Sequence, residues 1–260
     1  MKLWTLVENT ACSSDFYAEH GLSLYLETRD RKILFDAGQS RAFAGNAEKM
    51  GIDLSKVDLA VLSHGHYDHG GGMEEFLQHN DHAPVYVSKY AFGEHYNASD
   101  NYIGLSAELK ENRRLVLVEG EQVLAEGIRL ISCNHRSFSY PIDHSGLQTR
   151  RDGRMQPEGF LHEQYLLIEE AGKRILISGC SHKGIINILR WIDCDVFIGG
   201  FHFMKMDPES EQFQQLTGEL LQFPVCYYTG HCTGTEQYHA MKTLMGDRLH
   251  YLSAGSVWEI

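Results

Sequence analysis

No apolar run in this chain is long enough to cross a bilayer, and only a short apolar stretch precedes Glu8, so neither a membrane span nor a secretory leader is expected. Positive charge is in deficit. The 23 Lys and Arg face 35 Asp and Glu, a formal charge of -12 that repels phosphate backbones and anionic membrane surfaces and argues against a nucleic-acid or membrane partner. Proline is scarce, with five in 260 residues, and no Pro/Ser linker, short-period repeat or low-complexity tract divides the chain, so one domain over 1–260 is expected. The cysteines Cys12, Cys133, Cys180, Cys194, Cys226 and Cys232 lie scattered, without the spacing of a disulfide framework, so they are expected reduced and the protein cytoplasmic.

What the chain does have is histidine and glycine, 15 and 25 of them, concentrated at the ends of apolar runs. Strands are predicted at Leu3–Val7, Leu22–Leu26, Ile33–Phe35, Leu59–Leu62, Val85–Val87, Leu115–Val118, Tyr165–Ile168, Arg174–Ile177, Val196–Ile198 and Val225–Tyr228. Helices are predicted over Arg41–Met50, from about Met73, and over Gly184–Trp191 and Pro208–Leu221. Alternating strands and helices imply sheets covered by helices. Residues 88–112 and 134–160 show little periodicity and read as insertions that form the pocket.

The run from Leu59 to Leu62 stops in Ser63-His64-Gly65-His66-Tyr67-Asp68-His69-Gly70. His64-x-His66-x-Asp68-His69 places four potential ligands for a borderline divalent cation within six residues, a density that a helix-capping loop does not need. Three later strand ends each supply a glycine and a histidine: Ser178-Gly179-Cys180-Ser181-His182, Gly199-Gly200-Phe201-His202 and Gly230-His231-Cys232-Thr233-Gly234. Any one of these histidines alone reads as a structural residue. Together, at strand ends that could gather on one edge of the sheets, they point to a metal site.

The segment SHGHYDHGGG resembles the HxHxDH motif of the metallo-β-lactamase superfamily. The segments LVENT (Leu6–Thr10), EHGLS (Glu19–Ser23), ILFDAGQS (Ile33–Ser40), SGCSHKGIINIL (Ser178–Leu189), GGFHF (Gly199–Phe203) and GHCTG (Gly230–Gly234) resemble, more narrowly, a subfamily of its metal-dependent hydrolases. That subfamily includes proteins similar to the dihydropterin ribofuranosylaminobenzene phosphate synthase. The resemblance covers nearly the whole chain and implies an α/β fold, the αββα sandwich of the metallo-β-lactamase type. It also implies two divalent metal ions, zinc first, with manganese or iron as alternatives. His64 and His66 would hold one ion, Asp68 and His69 the other, and His231 matches a late strand-end ligand. Cys180 departs from the pattern, standing where many relatives carry a bridging Asp; either its thiolate or His182 then completes the set, His182 being preferred. His162 matches the expected place of a third histidine, although the subfamily is often acidic there.

The activity so implied is hydrolysis of an ester, lactone or phosphoester-type small molecule, neutral or anionic, by a metal-activated water, with Asp68 orienting the nucleophile and a pocket histidine, His202 or His182, protonating the leaving group. His20, His135, Arg136, Cys232 and Thr233 are candidate substrate contacts, and backbone amides around Cys232-Thr233-Gly234 would receive an oxyanion. Asp36 is expected to hydrogen-bond the metal loop from behind. His79, His82, His95, His144, His239 and His250 read as surface residues. The rival readings are a pterin-pathway-like transferase or synthase acting on a phosphoribosyl-type substrate, and a non-enzymatic metal or ligand sensor. A flavodiiron-type oxidoreductase is disfavoured by an imidazole at His66.

Overall fold

A computed structural model describes residues 1–260. The first half contains β1 (Lys2–Val7), β2 (Ser23–Glu27), β3 (Lys32–Phe35), α1 (Ala42–Lys49), β4 (Leu59–Val61), the single-turn α2 (Tyr67–Gly70), α3 (Met73–His79), β5 (Val85–Ser88), β6 (Glu94–Tyr96), α4 (Ala107–Lys110) and β7 (Leu115–Val118). The second contains β8 (Glu121–Ala125), β9 (Ile128–Ile131), β10 (Gln148–Arg151), β11 (Arg154–Pro157), β12 (Tyr165–Glu170), β13 (Lys173–Ile177), α5 (Ile185–Trp191), β14 (Val196–Ile198), α6 (Glu211–Gln222), β15 (Cys226–Thr229), α7 (Thr235–Met245), β16 (Leu249–Tyr251) and β17 (Val257–Glu259).

Two seven-stranded sheets stack face to face, in the orders β17-β1-β2-β3-β4-β5-β7 and β16-β15-β14-β13-β12-β9-β8. The period-two alternation of the strands builds three apolar layers. Ile33, Phe35, Ile175, Ile177, Val196 and Ile198 meet between the sheets. Leu34, one step along β3, turns outward onto Phe43 of α1 and Phe76 of α3. Leu176 and Phe197 turn the other way, onto Ile185 and Ile188 of α5, Phe213 of α6 and Met241 of α7. Helix α6 shows the local logic: the Ser210 side chain accepts from Phe213 N–H at its start, and Phe213, Thr217 and Leu220 recur on one buried face. This is the αββα sandwich. No helix is long and apolar enough to cross a membrane.

The predicted insertions are not irregular. They contribute β6, β10 and β11 to a small antiparallel sheet in the order β11-β10-β6, with Thr149 opposite His95 and Arg150 opposite Glu94. Gln148–Arg151 and Arg154–Pro157 are polar and largely exposed, so backbone pairing rather than an apolar face defines them, and hydrophobic periodicity carries no sign of it. The β8–β9 hairpin, helix α7 and the short strands β16 and β17 also lay outside the predicted elements.

Candidate metal centre

Four strand ends place their functional residues through the same device. Asp36 after β3, Ser181 after β13, His202 after β14 and His231 after β15 have φ of 59°, 58°, 60° and 50°, left-handed backbone that non-glycine residues rarely adopt. Each turn halts its strand sharply at one edge of the sandwich, beside the loop that follows β4. Gly179 permits the approach: a Cβ there would lie 2.2 Å from Ser63 Oγ and 3.0 Å from His64 Nδ1.

The hydrogen bonds behind the histidines determine where their protons sit. Asp36, fully buried, accepts Ser63 N–H, Ser63 Oγ–H and His69 Nδ1–H, each at 2.7 Å. Because the Ser63 hydroxyl proton is committed to Asp36, its oxygen accepts Nδ1–H of His64 at 2.8 Å. His231 donates Nδ1–H to Asn9 Oδ1 at 2.9 Å, and Asn9 Nδ2 donates back to the His231 carbonyl. The Nε2 atoms of His64, His69 and His231 are therefore lone pairs, an assignment made from the network. They converge on one another and on further acceptors. His69 Nε2 lies 3.1 Å from His231 Nε2 and 3.2 Å from Cys180 Sγ, His64 Nε2 lies 3.3 Å from His182 Nε2, and Asp68 Oδ2 lies 3.4 Å from His231 Nε2.

Lone pairs packed at such distances repel unless a proton or a cation lies among them; against the effect of burial, Asp68 raises His231 above the usual imidazole value, and the donor set as a whole is that of a divalent transition ion. Potential ligand atoms of His64, His66 and His182 fall within 4.8 Å of one another, as do those of His64, His69 and Cys180 and those of His20, Asp68 and His231. His66 Nε2 and His182 Nδ1 are buried without a partner. Burial, followed by the neighbouring histidines, holds His64 and His182 well below the usual imidazole range, and burial lowers His66 to about 3, so these rings stay neutral as ligands must. Burial works against ionisation of Asp68, but His69, His231 and His66 hold its carboxyl well below the usual range.

Other expected site residues fall elsewhere. His162 is buried beside His64 and His66, yet its Nδ1 accepts Gly65 N–H at 2.8 Å, so the neutral ring carries its proton on Nε2 and presents no lone pair to a metal there. The Thr233 hydroxyl is committed to Phe201 N–H and Thr229 Oγ1, and the buried Cys232 thiol points at the Cys180 carbonyl, its sulfur within 4.8 Å of ligand atoms of Cys180 and His231 rather than open to a substrate. The amides of Thr233 and Gly234 donate to the carbonyls of Gly230 and His231 and are not free to receive an oxyanion. His135 and Arg136 lie exposed on the loop after β9, outside the histidine cluster. His20 does reach it, 3.4 Å from Asp68 Oδ2.

Among the residues read as surface, His95 is buried, with Nδ1 2.6 Å from Glu158 Oε2; His144 and His250 are half-buried. Two buried carboxylates had no sequence signal beyond their neighbourhood. Glu8 accepts the His231 N–H at 2.5 Å, and Glu163 accepts the N–H groups of His182 and Lys183 at 2.6 and 3.0 Å, clamping that turn. Glu8 lies in the LVENT segment, and Glu163 is the sequence neighbour of His162.

His202 stands 4.4 Å, ring to ring, from His182 and shares with it the wall of a cavity of about 420 Å³ lined also by Tyr140, Ile185, Phe203 and Met206. Burial depresses it to about 4, so near neutral pH it is a neutral hydrogen-bonding group rather than a reservoir of acid. We expect His202→Gly to keep its melting temperature within about 4 °C, because relief of left-handed strain, roughly 1 kcal/mol, offsets the added chain entropy. Turnover should nevertheless fall. A calorimetric scan beside an activity assay checks this, and unchanged turnover would remove His202 from the chemistry.

The sequence model of the Metallo-beta-lactamase superfamily matches residues 17–202. The uncharacterized protein MJ0448 of Methanocaldococcus jannaschii is 32% identical over 209 residues, covering 76% of this chain and 78% of its own. The 7,8-dihydropterin-6-methyl-4-(beta-D-ribofuranosyl)-aminobenzene-5'-phosphate synthase of the same organism is 26% identical, covering 99% and 96%. Among solved structures, Tm1679, a metal-dependent hydrolase of the beta-lactamase superfamily, superposes with a TM-score of 0.82 at 26% identity, covering 100% of this chain and 99% of its own. Zn(2+)-bound PqqB from Methylobacterium extorquens shares the fold at a TM-score of 0.63 and 13% identity, with 100% of each chain covered. With strand order, layering and the histidine loop all in agreement, the chain belongs to the metallo-β-lactamase superfamily.

Proposed function

We propose that this protein is a metal-dependent hydrolase that works on an ester, lactone or phosphoester-type small molecule at a dinuclear site. The observation that supports the reading is the convergence of the His64, His69 and His231 Nε2 atoms, with Asp68 and His182, on a space suited to cations. His64, His66 and His182 would hold one ion and Asp68, His69 and His231 the other, with Cys180 beside His69. Two divalent ions there, zinc by preference for the His-rich and thiol-containing set, would acidify a water and polarise the scissile carbonyl or phosphoryl group.

The chain's own residues do the rest. Asp68, ionised and shared between His20 and His231, orients the attacking water and accepts its hydrogen bond. His202, neutral, hydrogen-bonds the leaving group from the wall of the 420 Å³ cavity, and the cavity's apolar lining takes that group's hydrophobic part and keeps bulk water away. The free thiols of all six cysteines fit a reducing compartment, and we place the protein in the cytoplasm.

Reconstitution with zinc, manganese or iron followed by elemental analysis should give close to two ions per chain, and only trace binding in all three would sink the proposal. A screen of esters, lactones and phosphodiesters should then find turnover, whereas a sensor would bind and not turn over. The full-length likeness to the dihydropterin ribofuranosyl-aminobenzene phosphate synthase favours a second reading, group transfer from a phosphoribosyl-type donor. Incorporation of solvent oxygen-18 into product selects hydrolysis; its absence selects transfer.

A further inference from the structure

The insertions build a second cleft that the chemistry above does not use. Its volume is about 380 Å³, and Lys89, Lys110, Arg150 and Arg151 line it above His95 and His162. Four basic residues against two acids, Glu94 and Glu158, give this lining a surplus of positive charge in a chain of charge -12. Lys89 is paired with Glu119 at 2.6 Å and Arg150 with Glu94 at 3.4 Å, while Lys110 and Arg151 have no carboxylate partner. Of the acids in the lining, Glu158 is buried and occupied by His95 Nδ1 and Phe160 N–H, which leaves Glu94 as the exposed one.

Solvated surface charge would explain the rim alone; it does not explain the floor. His95 and His162 are 3% and 1% exposed, and the Nε2 of each is buried without a hydrogen-bond partner, that of His162 lying 3.8 Å from Glu158 Oε1. His162, with Nδ1 accepting from Gly65, offers Nε2–H as a donor; His95, with Nδ1–H committed to Glu158, offers Nε2 as an acceptor. A donor and an acceptor side by side beneath cations suit an oxyanion that arrives with its own hydroxyl or a bridging water. The floor is also close to the metal residues: the rings of His95 and His162 lie 5.6 and 5.1 Å from that of His66.

We propose that this cleft binds a phosphate-class oxyanion, carried on the substrate, with Arg151 and Lys110 as the cationic contacts and His162 as the buried donor. The inference rests on the hydrolase reading for the source of the anion but not for the site itself. The test titrates inorganic phosphate into metal-loaded protein, following phosphorus-31 linewidths, for the wild type, the R151Q/K110Q double variant and His64→Ala. Phosphate held by metal ions is lost in His64→Ala; phosphate held in the cleft survives there and weakens about tenfold or more in R151Q/K110Q. Equal affinity in wild type and R151Q/K110Q overturns the site.

A second arm identifies the source. With phosphorylated and neutral esters of the same alcohol, R151Q/K110Q should raise KM for the phosphorylated ester alone. If both esters behave alike while free phosphate binding is weakened, the anion is an effector and the substrate assignment is overturned. If no ester is turned over but cleft binding persists, the hydrolase reading fails and the site stands.

Discussion

His64→Ala is expected to lower kcat/KM by about 10³-fold or more, beyond the roughly 10–100-fold that follows loss of a residue behind a ligand. His64 is fully buried and its Nε2 is aimed at His182 Nε2, so its removal takes a nitrogen ligand from the centre, and water entering the space is a weaker donor than imidazole. The fold should survive, because the three apolar layers lie away from this edge and do not include the ring. Zinc supplies the control. At 100 times its dissociation constant a bound ion stabilises the wild type by about 2.7 kcal/mol, roughly 5–10 °C in melting temperature for a chain of this size. The variant, missing a ligand, should show a much smaller rise, and the two chelated proteins should melt within a few degrees of each other. A fully active His64→Ala would place the chemistry elsewhere.

Strands such as β3 and β14 were legible because alternating Ile, Leu, Val and Phe must face two different apolar layers, and their ends were legible because glycine and histidine follow at once. The motif His64 to His69 declared itself through ligand density. His95 did not: it sits on a three-residue strand of the small sheet, in a segment with no apolar period, and its burial depends on Glu158 and on pairing with Thr149, some 50 or more residues away. His162 shows the opposite case. Its position matches a ligand, but the proton on its Nε2 follows from a single backbone hydrogen bond with Gly65, which residue types do not encode. Cys232 and Thr233 sit beside His231 in sequence, yet the short helical turn that places the imidazole at the edge buries both, Thr233 onto Thr229 and Cys232 against Cys180 and His231.

Asp36→Asn is the more discriminating substitution, because it is nearly isosteric and leaves every proposed metal ligand in place. The wild-type carboxylate accepts three hydrogen bonds, two from Ser63 and one from His69. An amide keeps one acceptor oxygen and turns an NH₂ group toward whatever faces the other position. If the amide keeps its oxygen toward Ser63 N–H, its nitrogen meets His69 Nδ1 and the Ser63 hydroxyl, both donors in the wild type. Relief requires the His69 proton to move to Nε2 and the Ser63 hydroxyl to turn toward His64 Nδ1, which moves the His64 proton to Nε2 as well. Each shift replaces a lone pair at the centre with an N–H. One substitution behind the site thus disarms a ligand of each proposed ion, and we expect metal affinity and activity to fall about 10–100-fold while the chelated protein keeps its circular-dichroism spectrum. Nitrogen-15 chemical shifts of the imidazoles in metal-free protein report the tautomers directly. If His64 and His69 remain protonated on Nδ1 in Asp36→Asn and zinc affinity is unchanged, the proton assignment on which the metal centre is built is wrong.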